Sequence, residues 1–304
     1  MQTRRIPKID REVSTLCLGT MTFGTPVAED DAIRIVHWAI DHGVNFIDTA
    51  NIYEGYARYL GSPGGVAERL LGKALAGRRD RVVLATKVGM KVGSAPEDEY
   101  TSPAAIGKQL DASLRRLATD FVDIYYLHRP DPETPLPEIL GALSEAIAGG
   151  KVRHYGVSNY SADQLAGLLK VADENSLPRP VIHQPPYSLL MPDVAEDLLP
   201  LCEREHVAAA PYQVLQQGLL TGKYRRGQDL PVGSRKAEKD GWVWELSDEL
   251  FDRIERLEAE AEARGRGLLQ HALLEALAQP PVVSLVIGAK RIEQIEELIA
   301  LMSW

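Results

Sequence analysis

The sequence predicts an α/β fold: a (β/α)8 TIM barrel with an N-terminal β-hairpin and extra helices and loops at its C-terminal face. Three observations carry this. Short apolar runs suited to buried strands recur after the hairpin, near residues 17, 45, 82, 122, 153, 181, 207 and 283. Segments with helical apolar spacing separate them, and strands apolar on both faces call for a parallel sheet covered by helices. The first strand is not followed by G-x-G-x-x-G, and eight units in 304 residues fit a closed barrel better than an open doubly wound sheet. No linker or low-complexity stretch interrupts the pattern, so residues 1–304 read as one domain.

The elements follow in order. Arg4–Pro7 and Ser14–Leu18 flank a turn near Asp10-Arg11-Glu12 and form the hairpin; Gly19–Gly24 is a small-residue loop at a strand end. Ile33, Val36, Ala39 and Ile40 place a helix over 30–42, which Gly43 suits as a C-cap. Asn45-Phe46-Ile47 is a short buried strand closed by Asp48, with Tyr53 in the loop beyond. A helix over 66–75 and a strand over 81–86 end at Lys87. Ser102-Pro103 starts a helix to Leu117, with proline at its first position. The strand 121–127 ends at His128. A helix over 135–148 precedes the strand 152–157, which ends at Ser158-Asn159. Ser161 caps a helix to about Ala172. The strand 181–183 ends at Gln184, a helix spans 194–205, and the strand 207–210 ends at Pro211-Tyr212. After a less regular segment come helices over 246–263 and 268–277, a last strand over 282–287 and a last helix over 291–301.

Composition bounds the function. A net charge of −9 and a pI near 5.4 argue against a nucleic-acid or anionic-membrane surface. No apolar run approaches the length of a membrane span, and the N-terminus lacks the apolar core of a signal peptide. Cys17 and Cys202 lie far apart in apolar segments without a His cluster, which reads as two buried thiols and no metal site. A cytoplasmic protein, monomeric or weakly self-associating, is expected.

In a barrel the C-terminal strand ends meet at one face. Here they carry Asp48, Lys87, His128, Ser158-Asn159, Gln184 and Tyr212. Singly, each has an ordinary structural reading: Asp48 as a loop cap, Lys87 as a solvated lysine, His128 as a core histidine, Tyr53 as a packing residue. Gathered on one rim, they suit proton transfer. A tyrosine is a weak acid at neutral pH, and an ammonium beside its oxygen stabilises the phenolate. An aspartate offsets the cost of burying that ammonium, and a neutral histidine can orient a carbonyl oxygen. Tyr53 is then the candidate acid, Lys87 its tuner, Asp48 the lysine's partner and His128 the orienting donor. Protonating a carbonyl oxygen makes sense if hydride is added to the carbon; no side chain supplies hydride, so a nicotinamide cofactor is implied.

With these residues in place, the chain resembles the aldo-keto reductases. The motifs are L-G-T-M-T-F-G at 18–24, F-I-D-T-A-N-I-Y at 46–53, A-T-K-V-G at 85–89, S-L-R-R-L-A-T-D-F-V-D-I-Y-Y-L-H-R-P-D-P at 113–132, G-K-V-R-H-Y-G-V-S-N-Y at 150–160, Q-G-L-L-T-G-K-Y at 217–224 and I-G-A-K-R-I-E-Q at 287–294. The resemblance implies an NADP(H)-dependent (β/α)8 enzyme that reduces an aldehyde or ketone, or oxidises an alcohol or sugar. Asp48, Tyr53, Lys87 and His128 would be its catalytic residues. Gly19, Thr20, Met21 and Asp48 would border the cofactor. Ser158, Asn159 and Gln184 would hold the carboxamide side of the nicotinamide, and Tyr212 would stack on its ring. Gln213, Leu215, Gly218, Leu220 and Lys223 would follow the pyrophosphate. Ile287, Gly288, Ala289, Arg291 and Gln294 would surround the 2′-phosphate, with Glu297 near the adenine. Phe23, Tyr56, Met90 and His128 would line the substrate pocket, in a rim with Met21, Tyr59, Trp242 and Trp244.

Some positions depart from the family's pattern. Gln213-Val214 stands where Ser-Pro is frequent, Ser188 follows Tyr187 where Asn is usual, and Leu298 replaces an adenine-contacting Asn. Few residues follow the last helix, to Trp304, where many relatives carry a tail over the pocket, so a more open pocket is implied. The main alternative is a non-catalytic cofactor-binding partner module resembling potassium-channel β subunits, which have Asn at the position of His128. A barrel enzyme using Lys87 as a Schiff base is a third reading.

Overall fold

A computed structural model describes residues 1–302; Ser303 and Trp304, and with them the expectation about the C-terminal tail, lie outside the described residues. The chain opens with β1 (Thr3–Arg5) paired antiparallel to β2 (Glu12–Ser14). Ile6, Ile9 and Val13 of this hairpin pack against Val83, Val181 and Val283, so the hairpin closes the end of the barrel where strands begin. Arg4 fastens it by donating to the Leu277 and Val282 carbonyls at 2.7 and 2.6 Å.

The alternating units then run β3 (Leu16–Gly19), α1 (Glu29–Asp41), β4 (Phe46–Asp48), α2 (Val66–Ala74), β5 (Val83–Val88), α3 (Pro103–Leu117), β6 (Val122–Leu127), α4 (Leu136–Ala148), β7 (Val152–Ser158), α5 (Ala162–Glu174), β8 (Ile182–Gln184), α6 (Leu198–Arg204) and β9 (Ala208–Ala209). The short α7 (Arg235–Glu238), then α8 (Asp248–Ala263) and α9 (Leu268–Leu277), precede β10 (Leu285–Gly288) and α10 (Ile292–Met302). The strands from β3 to β10 form one parallel eight-stranded sheet, with β10 beside β3. Bridges from Ala209 to Val282 and from Tyr212 to Val286 join its two ends, so the sheet closes as the sequence pattern predicts.

Local chemistry sets the boundaries. Ser102 Oγ accepts from the Ala105 N–H at the start of α3, and Ser161 with Gln164 forms a reciprocal cap on α5. Gly43 follows α1 at φ +88°, a left-handed position that glycine adopts without strain. Two of the boundaries that differ from the sequence reading have a clear local cause. The run 14–18 divides at Thr15, its first part pairing with β1 and its second with β4 and β10. The helix expected over 194–205 begins only at Leu198, because Asp197 turns back to accept the Leu198 N–H and starts a new helix after a 3-10 turn at 193–195.

The main core lies between sheet and helices, and a second one fills the barrel. Both cysteines are buried and unpaired, Cys202 with its thiol pushed up to about 12 by desolvation. Among the described residues no helix is long and apolar enough to cross a membrane, and no cluster of His, Cys, Asp and Glu could hold a metal.

Candidate active site

Parallel register brings the strand ends together. Gly19 pairs with both Asp48 and Gly288, and Ser158 pairs with Gln184. Lys87 extends two residues past Ala85, the register partner of Asp48, so its side chain reaches back over the strand end.

Lys87 is the hub. It is 0% exposed, and its ammonium uses all three N–H groups: to Asp48 Oδ2 at 2.5 Å, to the Thr49 carbonyl at 2.8 Å and to the Tyr53 hydroxyl at 3.3 Å. Burial works to lower the Lys87 pKa, but Asp48 and Tyr53 outweigh it, so the ammonium is held above its ordinary value. Asp48 is 1% exposed and is also tied on its other oxygen, Oδ1, by the Gln184 amide at 2.9 Å. Thr20 donates its backbone N–H and its hydroxyl to the Asp48 carbonyl, both at 3.0 Å.

The Tyr53 ring meets His128 edge-on, with centroids 6.0 Å apart. Burial raises the Tyr53 pKa; Lys87 opposes this, and the net direction is upward. The tuning effect expected of Lys87 is therefore present but outweighed by desolvation, so the phenol stays firmly protonated. Burial, then the Lys87, Arg58 and Arg129 charges, push His128 well below its ordinary value. The imidazole is neutral near pH 7, and among the described residues neither ring nitrogen has a hydrogen-bond partner, Nδ1 being buried.

A second network lies beside this one. Ser158 Oγ donates to the Gln184 carbonyl at 2.8 Å. Asn159, held at φ +62°, donates from Nδ2 to the His128 carbonyl at 2.8 Å and accepts from the Tyr212 hydroxyl at 2.7 Å. Ser158, Asn159, Gln184 and Tyr212 thus form one connected wall.

Beneath them lies Tyr126, which the sequence reading passed over. It is 0% exposed inside the barrel, with Lys87 Nζ 5.8 Å from its ring and its hydroxyl facing the Gln184 amide. A Cβ on Gly156 would stand 2.6 Å from the Tyr126 ring, so this floor exists only opposite a glycine. The signal was available: Ile124 and Tyr126 alternate on the inner face of β6, and His128 continues that spacing just past its end.

Further along the rim, Gln216, Gln217 and Gly218 turn left-handed in succession after Leu215. A Cβ on Gly218 would lie 2.6 Å from Lys223 Nζ, so that ammonium rests over bare backbone. Burial lowers the Lys223 pKa, as do the Arg235 and Lys290 charges. Lys290 is engaged with Glu238 and the Gly233 carbonyl. Arg291 is exposed and has no ion pair among the described residues. Gln294 uses Oε1 to accept the Lys290 N–H at 2.8 Å.

Other expected contacts are reshaped by burial. Leu220 is 0% exposed, in a cluster with Leu250 and Phe251, so only its backbone can face a ligand. Ile287 and Ala289 are buried, Glu297 is exposed, and Leu298 packs into the main core. Gln213 turns left-handed at φ +59°. Phe23 is corrected: at 0% exposure it packs beneath its loop in the main core and offers no surface to a pocket. Tyr56 lies under the 239–242 segment, edge-on to Trp242 at 5.2 Å, and Met90 packs with Ala50, Ile52 and Val92. Met21 is half-buried beside Thr20.

A closed parallel barrel with ionisable groups at the C-terminal strand ends defines a barrel enzyme with one catalytic face. Residues 15–304 match the Aldo/keto reductase family, and the chain belongs to that family of oxidoreductases. It is 34% identical to a probable voltage-gated potassium channel subunit beta of Arabidopsis thaliana, over 98% of this chain and 90% of that one. It is equally 34% identical to L-glyceraldehyde 3-phosphate reductase of Escherichia coli, over 98% and 86%. Among solved structures, a glycerol dehydrogenase of Gluconobacter oxydans superposes with a TM-score of 0.81 at 30% identity, covering 99% of this chain and 90% of that one.

Proposed function

We propose that this protein is an NADP(H)-dependent carbonyl reductase, able to run in reverse on alcohols or sugars, with residues 1–304 working as one domain. The observation that carries it is the Lys87 hub: a fully buried ammonium shared between Asp48 and Tyr53, beside a neutral His128 with free ring nitrogens. Nicotinamide cofactors are general in the family, and this chain's donors fit one. Ser158, Asn159 and Gln184 would hold the carboxamide and Tyr212 the ring face. The left-handed turn at 216–218 with Lys223 would take the pyrophosphate. Arg291, a guanidinium without an ion pair among the described residues, next to the first turn of α10, would take the 2′-phosphate that distinguishes NADP(H).

The cofactor's contribution is hydride. The protein's own part is proton transfer and positioning. His128 donates a hydrogen bond to the carbonyl oxygen and fixes it against Tyr53. The Tyr53 hydroxyl gives up its proton to that oxygen. Lys87 stabilises the phenolate left behind, and Asp48 keeps Lys87 charged despite its burial. In the oxidative direction the same groups act in reverse order.

Consumption of NADPH with 4-nitrobenzaldehyde or methylglyoxal tests the reading. Tyr53→Phe should reduce turnover by about 10²–10⁴-fold, the usual worth of a positioned acid, while NADPH binding persists. Retained turnover would point to another proton donor. The partner-module reading draws on the channel-subunit relative; His128 favours the enzyme, and cofactor binding without turnover of any carbonyl would favour the module. A cytoplasmic, monomeric or weakly self-associating protein fits the same reading.

A further inference from the structure

One cation in the loop after Tyr53 is left over from the reductase reading. Arg58 follows the 3-10 turn 55–57, five residues beyond Tyr53, in an extended backbone conformation. Its loop is pinned from both sides: the Tyr56 N–H donates to the Thr25 carbonyl at 2.7 Å, and the Gly93 N–H donates to the Ser62 carbonyl at 3.2 Å. The guanidinium is therefore presented by a fixed loop. Its Nε is buried without a partner, and Arg58 has no hydrogen bond or ion pair from its side chain among the described residues. Its charge bears on both the Tyr53 phenol and the His128 imidazole, lowering the pKa of each.

Arg129 differs in having an acid. Its charge also bears on His128 and its Nε is likewise buried without a partner, but Glu99 neutralises it at 2.7 Å and it lies over the Tyr100 ring at 5.2 Å. Other strongly held arginines near the barrel, such as Arg79 with Asp123 or Arg116 with Glu68, likewise have a carboxylate. A partly buried guanidinium with no counterion among the described residues, whose charge reaches the two groups that would face a carbonyl, is suited to binding an anion. A buried donor left without a partner costs free energy, and a planar fork matches carboxylate and phosphate oxygens.

We propose that Arg58 determines substrate class: the preferred substrates are carbonyl compounds bearing a carboxylate or phosphate, which the Arg58 guanidinium binds while the carbonyl lies between Tyr53 and His128. This rests on the reductase reading and supplies its substrate. The anion neutralises Arg58, and the guanidinium fixes the far end of the molecule, so the carbonyl is presented in one orientation.

The test compares matched aldehydes at fixed NADPH. The first pair is 4-carboxybenzaldehyde against the neutral isostere 4-formylbenzamide; the second is glyceraldehyde 3-phosphate against glyceraldehyde. The native protein should favour at least one anionic member by about 10- to 100-fold in kcat/KM, the range a charge-assisted hydrogen bond supplies. Preference confined to the second pair identifies phosphate as the anion, and preference confined to the first identifies carboxylate. Arg58→Ala should collapse the ratio mainly through KM, Arg58→Lys should keep part of it, and fluorescence titration with NADPH should confirm that both variants are folded. Equal kcat/KM within both pairs for the native protein, or an unchanged ratio in Arg58→Ala, overturns the inference and leaves the reductase reading standing. No turnover of any aldehyde removes both.

Discussion

Replacing Asp48 by asparagine keeps the shape of the side chain and removes its charge, and the surroundings of Lys87 set the cost. Lys87 is 0% exposed and Asp48 Oδ2 is its closest partner at 2.5 Å. Asparagine offers one oxygen to two donors, Lys87 and the Gln184 amide, so the ammonium loses its counterion and is left with neutral acceptors, among them the Thr49 carbonyl and the Tyr53 hydroxyl. Breaking a buried pair at one partner costs about 3–5 kcal/mol. Unfolding entropy near 2.1 cal/mol/K per residue makes that about 5–8 °C in Tm for a chain of 304 residues.

The pH dependence gives the test its sign. In the native protein the Lys87 pKa is raised, so its contribution is present below the unfolded value and is lost as pH rises through the folded one. In Asp48→Asn burial is opposed by Tyr53 alone, and the expected outcome is a Lys87 pKa below its unfolded value. The variant then gains stability as pH rises toward about 10.4. The two curves should converge at alkaline pH. Urea unfolding from pH 6 to 10.5 measures this. A deficit under about 1 kcal/mol at pH 7, or one that widens with pH, would refute the account of Lys87 as a cation held by Asp48. The double variant Asp48→Asn/Lys87→Met removes both charges and should recover most of the lost stability.

The pH profile of carbonyl reduction should be flat between about 6.5 and 10, since the Tyr53 pKa is raised and the His128 pKa is lowered. An alkaline fall beginning near neutrality would mean that the acting phenol is not the one described. Arg291→Ala should weaken NADPH binding by about 1.5–3 kcal/mol and NADH binding far less, read by fluorescence titration; equal weakening would place Arg291 away from the 2′-phosphate. Gly156→Ala should destabilise by about 1–3 kcal/mol or more, because its Cβ would stand 2.6 Å from the Tyr126 ring and 2.7 Å from the Ile182 carbonyl. A fully stable Gly156→Ala protein would show that the barrel floor has room to shift.

Much of this architecture was legible because barrel topology converts sequence position into space. Asp48, Lys87 and His128 are remote in sequence, yet each lies at or next to the C-terminal end of a strand, and a parallel barrel gathers strand ends. What was illegible depends on burial and on partners that only the closed fold supplies. Phe23 reads as a rim aromatic but is covered by its own loop. The Gln184 amide binds an aspartate 136 residues away. The net direction of the Tyr53 shift is a contest between desolvation and Lys87, whose outcome no spacing reveals. Nothing in the sequence sets Arg58 apart from the other arginines; it becomes notable because its Nε is buried and, among the described residues, its side chain has no partner. The break before α6 turned on Asp197 folding back to its neighbour's N–H, a choice that helical periodicity does not encode.

The buried pair also bears on why these charges are present at all. A salt bridge with both members within 2% of full burial is a poor route to stability, since desolvation consumes most of the Coulombic gain and apolar replacements are often neutral or better. Stability alone therefore does not account for Lys87 and Asp48. Their surroundings point to another reason: each N–H of Lys87 and both oxygens of Asp48 are directed, and one of those directions is the Tyr53 hydroxyl. The Asp48→Asn/Lys87→Met protein separates the two explanations. If the pair serves the fold, that protein should be markedly less stable than the native one. If it serves proton transfer at Tyr53, it should unfold within about 2 kcal/mol of the native protein and yet lose carbonyl reduction as completely as Tyr53→Phe.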